Sequence, residues 1–247
     1  MKTRLTKYLK LFGLWHGLRL YVRLKARRPG LVTVRIPQAQ HPIYLRRGTS
    51  DPKVFNQLFV DGEYAQVQLQ FEPATLLDGG GNIGLAAVYF ANRYPGLRIL
   101  TVEPEPDNFA LLQRNVAPYA TIQAVQAGIW PRTTPLLIRP SELGNWAFTV
   151  EEAAQPGPDT VPALSIPDLI RQAGWTRADV VKLDIEGSEK EVFEADTDGW
   201  LPQARALIVE LHDWMRPGCS EAFSRATQPF TYRRSVCGDY VVCERTD

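Results

Sequence analysis

The sequence predicts an α/β fold with a central, mostly parallel β-sheet, a closing antiparallel hairpin and an N-terminal helix/hairpin extension. Short apolar segments alternate with helical segments between residues 75 and 211, which is typical of a parallel sheet covered on both faces. A glycine-rich turn separates the first of these strands from its helix. Residues 231–236 and 240–244 flank Gly238 and predict the closing hairpin.

Length and composition favour one large globular domain with an extension. The chain has 247 residues, of which 45% are hydrophobic and 22% are charged, and domains commonly span about 100–200 residues. We predict an accessory cap at residues 1–71 and the main domain at residues 72–247. The longest apolar runs are far shorter than the about 20 residues that a membrane span needs. The three cysteines are too few and too irregular for a disulfide framework or a zinc site, so we expect a reduced, cytoplasmic protein.

The elements follow in order from local patterns. The cap is expected to contain a basic helix within residues 1–25, a small hairpin (31–36 and 43–46) and a helix at 52–64 with Ser50 or Asp51 as N-cap. In the main domain we predict strands at 75–77, 99–102, 121–127, 180–183 and 206–211, and helices at 85–93, 108–116, 166–173 and 189–195. The composition of residues 132–162, rich in Pro, Thr and Glu, predicts an elaborated loop over the site with one strand at 136–138. A disordered linker is the alternative.

Charge is distributed unevenly along the chain. Residues 1–50 contain twelve Lys or Arg and no Asp or Glu, whereas the remainder contains 16 basic and 27 acidic residues. Residues 1–28 could therefore place the protein at the periphery of an anionic membrane, or engage a nucleic acid or an acidic partner. Docking onto the acidic body of the same chain is an equally good interpretation. We do not expect nucleic acid, because no basic and aromatic face is evident beyond residue 50.

The run Asp78-Gly79-Gly80-Gly81-Asn82-Ile83-Gly84 predicts a nucleotide-cofactor site at a helix N-terminus. Its glycine spacing also satisfies the dinucleotide fingerprint of dehydrogenases. However, a carboxylate at Asp78 would repel a diphosphate, whereas it would attract the cationic end of S-adenosylmethionine, directly or through water. Asn82 stands where a glycine is usual, and Asn tolerates left-handed backbone angles. We therefore favour a methyltransferase over a dehydrogenase.

Glu103 ends the second strand of the sheet, 25 residues after Asp78. That is the distance at which a βαβ unit returns beside its first strand and offers a carboxylate to a ribose diol. The alternative is that Glu103 caps the helix that follows.

Three further groups are expected at the carboxyl end of the fourth strand, where open α/β sheets bind their ligands. Alternation places Lys182, Asp184 and Glu186 on one side. A structural Lys182–Glu186 ion pair is the alternative. His212 follows the fifth strand and is a candidate general base, because its ordinary pKa is about 6.5; a surface or capping role is the alternative. A divalent metal on Asp184, Glu186, Glu210 or His212 would be a variant of this site, but we expect none.

Three segments resemble the hallmark segments of FkbM-type methyltransferases: residues 78–84, 102–108 and 182–189. Gly81 and Ser188 are small departures from the usual pattern. The resemblance implies a class I methyltransferase with a Rossmann-like fold, S-adenosylmethionine as cofactor, and methylation of a hydroxyl on a sugar or secondary metabolite. RNA methylation, or a noncatalytic binding module at a membrane surface, are the competing functions. The expected cofactor contacts are Asp78, Gly80, Gly81, Asn82, Gly84, Glu103, Ala127 and Asp184. The expected catalytic groups are Lys182, Asp184, Glu186 and His212.

Overall fold

The computed structural model describes residues 2–26, 28–140 and 148–247. Met1 and Arg27 of the predicted basic segment, and residues 141–147 of the predicted loop, lie outside the described residues. The strands are β1 (Gly30–Val34), β2 (Ile43–Arg47), β3 (Thr75–Gly79), β4 (Arg98–Val102), β5 (Ile122–Val125), β6 (Gly128–Ile129), β7 (Thr134–Pro140), β8 (Phe148–Glu152), β9 (Thr160–Leu164), β10 (Val180–Leu183), β11 (Ala206–Glu210), β12 (Tyr232–Cys237) and β13 (Tyr240–Arg245). The α-helices are α1 (Lys2–Phe12), α2 (Leu14–Lys25), α3 (Asp51–Phe55), α4 (Leu85–Arg93), α5 (Pro106–Val116), α6 (Ile166–Gln172), α7 (Glu189–Glu194) and α8 (Cys219–Thr227).

The central sheet has seven strands in the order β12-β13-β11-β10-β3-β4-β5. The five strands from β11 to β5 are parallel, and β13 pairs antiparallel with both β11 and β12. All residues of β3 and β10 are buried, as expected for strands that helices cover on both faces. This confirms the predicted sheet and its closing hairpin.

Two hydrophobic clusters lie on opposite faces of the sheet because side chains alternate along each strand. Leu76 and Val180 belong to one cluster with α4, α5 and the N-terminal region. Leu77 and Val181 belong to the other with α6, α7 and α8. The carboxyl ends of β3, β4, β10 and β11 therefore meet at one edge, above a core that is apolar on both sides.

The N-terminal region packs into the first cluster, with Tyr8 and Leu20 among its buried members. The single helix predicted for residues 1–25 is wrong, because Gly13 has a positive φ angle (81°) and separates α1 from α2. Gly17 permits their close contact, since a Cβ there would lie 2.4 Å from the Tyr8 carbonyl oxygen. In the described part, no helix is long and apolar enough to cross a bilayer.

The hairpin predicted after α2 is present as β1 and β2, a separate two-stranded antiparallel sheet. The helix predicted for residues 52–64 is interrupted. α3 continues as a π-helix over Asn56–Val60, and Gly62, in the left-handed region, precedes a 3-10 turn at Glu63–Gln66. Ser50 precedes α3 without a side-chain capping hydrogen bond.

Residues 128–164 differ most from the sequence-based expectation. Instead of a loop with one strand, the described part forms a second sheet in the order β6-β9-β7-β8. Prolines weaken strand signals, since they donate no ladder hydrogen bond, and Pro135, Pro140 and Pro162 all lie within these strands. α8 was also not predicted. The three cysteines are buried and free, in agreement with a packing role.

Candidate active site

The glycine loop turns sharply at the carboxyl end of β3. Gly80, Asn82 and Gly84 all have positive φ angles, of 72°, 48° and 82°. The left-handed conformation predicted for Asn82 is therefore confirmed. A Cβ on Gly80 would lie 1.7 Å from the backbone oxygen of Asp184, so only glycine lets the loop pass this close to the end of β10.

A buried ion pair lies beneath the loop. Lys182 and Asp78 are 2% and 1% exposed, and Lys182 Nζ lies 3.1 Å from Asp78 Oδ1. Lys182 Nζ also donates to the carbonyl oxygens of Gly79 (3.1 Å) and Gly80 (3.0 Å). The Thr101 hydroxyl donates to the other Asp78 oxygen at 2.8 Å.

The Lys182–Glu186 ion pair considered as an alternative is therefore wrong. Lys182 Nζ instead lies 3.1 Å from Asp78 and 3.6 Å from Asp184. Burial alone would lower the pKa of Lys182, but the charges of Asp78 and Asp184 raise it above its ordinary value. Lys182 is therefore charged and anchors the loop from below. The structure places Asp78 under the loop, and Asp78 is not among the residues that line the two cavities described below.

Glu103 faces the loop from the end of β4. One of its carboxylate oxygens accepts from the Asn82 amide (2.8 Å) and the other from the Glu105 amide (3.0 Å). Glu105, and not Glu103, caps α5 by accepting from the amides of Asp107 and Asn108. The capping alternative for Glu103 is thus wrong. Burial raises the pKa of Glu103 to about 7.

The first cavity, which we call the cofactor cavity, lies beside Glu103. Its lining includes Gly80, Asn82, Ala127 and Asp184, four further residues predicted to contact the cofactor. Among its lining residues in the described part there is no Lys or Arg, so it offers no cationic side chain to a diphosphate. A carboxylate for ribose hydroxyls and apolar walls from Val102, Ile129 and Ile185 suit an adenosine with a cationic end. These residues fit S-adenosylmethionine.

The remaining two predicted contacts, Gly81 and Gly84, shape the loop. A Cβ on Gly81 would lie 2.2 Å from the Thr101 hydroxyl oxygen, and Gly84 precedes the first residue of α4.

A second cavity, which we call the acceptor cavity, lies on the other side of the loop. Segment 50–64, the loop, and the ends of β10 and β11 line it, together with Asp239 and Tyr240. Gly80, Asn82, Asp184 and Glu186 line both cavities. These four residues therefore form the boundary between the two cavities.

His212 lies at the bottom of the acceptor cavity and is 2% exposed. Its Nδ1 lies 3.0 Å from Glu189 Oε1. Its Nε2 lies 3.5 Å from Glu210 Oε1, 3.6 Å from Glu186 Oε2 and 3.7 Å from Asp184 Oδ1. The structure thus brings together the predicted catalytic residues Asp184, Glu186 and His212, with Lys182 adjoining Asp184.

The electrostatics of this cluster differ from the expectation for a neutral histidine base. Burial would lower the pKa of His212, but the hydrogen bond and charge of Glu189, with the charge of Asp184, raise it to about 9. The imidazole is therefore protonated near neutral pH. Burial and the charge of Asp184 raise the pKa of Glu186 to about 8, and the same two causes raise the pKa of Glu210.

Sequence reasoning missed two supporting residues. Glu189 is fully buried, and its carboxylate accepts from the amides of Ile185 and Gly187 while contacting His212. The Tyr240 hydroxyl donates to Asp184 Oδ2 at 2.8 Å. Glu189 was visible in the sequence as the last residue of the 182–189 segment, but its partner lies 23 residues away. Tyr240 carried no comparable signal.

Comparison with known proteins supports the resemblance drawn from the motifs. The model of the methyltransferase FkbM domain matches residues 78–231. Methyltransferase sdnD of Sordaria araneosa is 28% identical over 191 residues, covering 64% of this chain and 73% of that protein. The 31-O-demethyl-FK506 methyltransferase FkbM of Streptomyces tacrolimicus is 25% identical over 215 residues, covering 73% and 82%.

Two further similarities were found. The hexuronic acid methyltransferase AglP of Haloferax volcanii is 28% identical over 162 residues, covering 63% of this chain and 65% of that protein. A solved FkbM methyltransferase of Methylobacillus flagellatus has a TM-score of 0.49 and 17% identity, and 77% of this chain is covered. This chain spans about half, 47%, of that structure.

Proposed function

The chain belongs to the FkbM methyltransferase family and is an S-adenosylmethionine-dependent methyltransferase, and on that premise we propose that its acceptor is a hydroxyl of a sugar or secondary metabolite. Two relatives support this class of acceptor. One is named for a 31-O-demethyl substrate and the other for hexuronic acid. The observation that carries the proposal is the boundary between the two cavities, where Asp184 and Glu186 face both.

Bound S-adenosylmethionine supplies an electrophilic methyl group. We assign its ribose to Glu103, whose carboxylate can accept from hydroxyl groups. Gly80, Gly81, Asn82 and Gly84 allow the loop to turn sharply beside the ribose. Asp78 acts from below, through Lys182, which holds the Gly79 and Gly80 carbonyls in place.

In its ionised form, Glu186 is the best-placed group to take the proton of the acceptor hydroxyl. It lines both cavities, and its Oε2 is buried with no hydrogen-bond partner among the described residues. Transfer of the methyl group from bound S-adenosylmethionine to the acceptor oxygen would leave S-adenosylhomocysteine as the second product, and Glu186 would take the hydroxyl proton. A base in this role typically contributes about 10² to 10⁴ in rate. We assign to His212 a positioning role, because its protonated ring lies among the carboxylates that surround it.

The lining of the acceptor cavity disfavours RNA. Its cationic side chains are Lys53, Lys182 and His212. A polyanion binds through cationic side chains that neutralise its phosphates, and two of these three already contact carboxylates, Lys182 with Asp78 and His212 with Glu189. A small neutral or chelating hydroxyl acceptor fits better.

The test is methyl transfer from labelled S-adenosylmethionine to hydroxylated macrolides, hexuronic acid glycosides and RNA. We expect an O-methylated small molecule, and we expect Glu186→Gln to lower kcat about 10²-fold or more while the cofactor Kd is unchanged. Glu221→Gln is the control, since Glu221 is exposed on α8 and pairs with Arg225. Transfer to RNA alone, or a noncatalytic protein that retains the cofactor without turnover on any acceptor, would contradict the proposal.

A second role, reversible contact with an anionic membrane, is favoured by the exposed face of α2. Trp15 is 80%, Leu14 63% and Val22 59% exposed, and Arg19 and Arg23 lie on the same surface. Interfacial helices combine such apolar and cationic residues. α1 behaves differently, because Arg4 and Lys7 both contact Asp61 on the body of the protein.

Sedimentation with vesicles tests this role. We expect binding to phosphatidylserine-containing vesicles at low salt, weaker binding at high salt, and a loss of binding in Trp15→Ser. Equal sedimentation of the variant and the unaltered protein would argue against a membrane role for α2.

A further inference from the structure

The groups around His212 have the geometry of a metal site rather than that of a hydrogen-bonded cluster. Its Nε2 lies 3.5–3.7 Å from three carboxylate oxygens, whereas N–H···O hydrogen bonds are about 2.7–3.2 Å long. Ligand atoms about 2.1 Å from one ion, and roughly a right angle apart, lie about 3.0–3.4 Å from each other. The observed spacing is therefore slightly wider than that of a filled coordination shell and too wide for direct bonding.

Two buried polar atoms point into this space without a hydrogen bond to each other. The His212 side chain is 2% exposed, and the only hydrogen bond that it makes within the described part of the chain is through Nδ1. Glu186 Oε2, at 3.6 Å from Nε2, is buried and has no hydrogen-bond partner among the described residues. Unsatisfied buried polar atoms are rare and call for an explanation, such as an ion.

His212 and Asp184 are each oriented by a hydrogen bond to a second side chain, as the ligands of bound metals usually are. Glu189 is fixed by two backbone amides and accepts from His212 Nδ1, so Nε2 is the ring atom that faces the other carboxylates and would release its proton when an ion binds. Carboxylate partners of this kind orient metal-bound histidines. Tyr240 binds Asp184 Oδ2 and so leaves Oδ1 facing Nε2.

We propose that Asp184, Glu210 and His212 bind a divalent metal ion at the boundary of the two cavities. Their three ligand atoms lie within 4.8 Å of one another. Two carboxylates and one imidazole combine oxygen ligands, which suit Mn²⁺, with a nitrogen ligand, which suits transition ions more broadly. Three protein ligands leave coordination positions open.

The open positions face the acceptor cavity. The class of acceptor that would bind there can therefore be narrowed, and this step rests on the proposed function. An acceptor with two adjacent oxygens, such as a vicinal diol or an α-hydroxy carboxylate, would chelate the ion. The ion would lower the pKa of the bound hydroxyl, and Glu186, which is not among the three ligands, would take its proton.

Metal binding can be measured without any acceptor. Mn²⁺ is titrated into the purified, chelator-treated protein and followed by electron paramagnetic resonance. We expect one ion per chain, and binding at least about 10-fold weaker in both Glu210→Gln and Asp184→Asn. Glu189→Gln, which changes only the orienting partner, should weaken binding about 10- to 100-fold. Glu221→Gln, with the same loss of charge on an exposed helix, should bind like the unaltered protein.

Circular dichroism and S-adenosylmethionine binding identify any variant that fails to fold. No Mn²⁺ bound at millimolar concentration, or equal binding by Glu210→Gln and Glu221→Gln, would overturn the metal site. Full methyl transfer in the presence of EDTA would overturn its role in the reaction while leaving the proposed function intact. Conversely, tight Mn²⁺ binding with transfer to no hydroxyl acceptor would contradict the proposed function and leave the metal site standing.

Discussion

Replacing Lys182 by Met should destabilise the protein strongly, because it leaves Asp78 charged and buried. Lys182 Nζ contacts Asp78 at 3.1 Å and donates to the Gly79 and Gly80 carbonyls. After the substitution, the Thr101 hydroxyl is the one side-chain donor that Asp78 keeps among residues 2–26, 28–140 and 148–247. Removing one partner of a buried ion pair costs about 3–5 kcal/mol, against a total free energy of unfolding of about 5–15 kcal/mol.

Urea unfolding followed by circular dichroism measures this loss, and thermal unfolding should show a fall of about 6–20 °C for a chain of this size. Lys190→Met is the control, because Lys190 is partly exposed and its ammonium donates to the Pro217 carbonyl; its effect should be at most about 1 kcal/mol. Adding Asp78→Asn to Lys182→Met removes the stranded charge and should recover at least about 1 kcal/mol. A loss for Lys182→Met no larger than that of Lys190→Met, or no recovery in the double variant, would refute the reasoning.

Three further outcomes are expected. Cofactor affinity should rise with pH up to about 7 and then level off, because the pKa of Glu103 is raised to about 7 and only its ionised form accepts from both ribose hydroxyls. Calorimetry at several pH values should show that cofactor binding weakens about tenfold for each pH unit below that point. Glu103→Gln should abolish this pH dependence. Gly81→Ala should weaken cofactor binding because its Cβ would lie 2.2 Å from the Thr101 hydroxyl, whereas Gly157→Ala, with nothing within 4 Å, should not. Glu105→Ala removes the N-cap of α5 and should lower the free energy of unfolding by about 1 kcal/mol, with kcat unchanged in a methyl-transfer assay.

The parts of the fold that could be predicted from sequence are those with strong local patterns. β10 has the bounds that its apolar run indicated, and the positive φ of Asn82 follows from its place in a glycine loop. The second sheet could not be predicted in the same way, because prolines interrupt its strands and their pairing joins β6 to β9 across more than 30 residues.

The candidate site, too, could be predicted only where a local motif marks its residues. Glu103 and Asp184 could be proposed because each follows an apolar strand of a recognisable motif. The contact of Glu189 with His212, and that of Tyr240 with Asp184, join residues 23 and 56 positions apart. No local pattern encodes such contacts, and the raised pKa of His212 depends on the one with Glu189. A histidine at the end of a strand therefore predicted a neutral base, whereas its surroundings favour a protonated ring.

The two cavities draw on different stretches of the chain, and this affects the order in which they can form during synthesis. Residues 80–188 supply the whole lining of the cofactor cavity. The acceptor cavity also needs segment 50–64 and residues Asp239 and Tyr240, and Tyr240 is placed by β13, which inserts between β11 and β12. A nascent chain that has not yet emerged as far as β13 therefore already holds every residue that lines its nucleotide half, whereas its acceptor half still lacks Asp239 and Tyr240. Cofactor binding could then stabilise the partly made protein before any substrate can be modified.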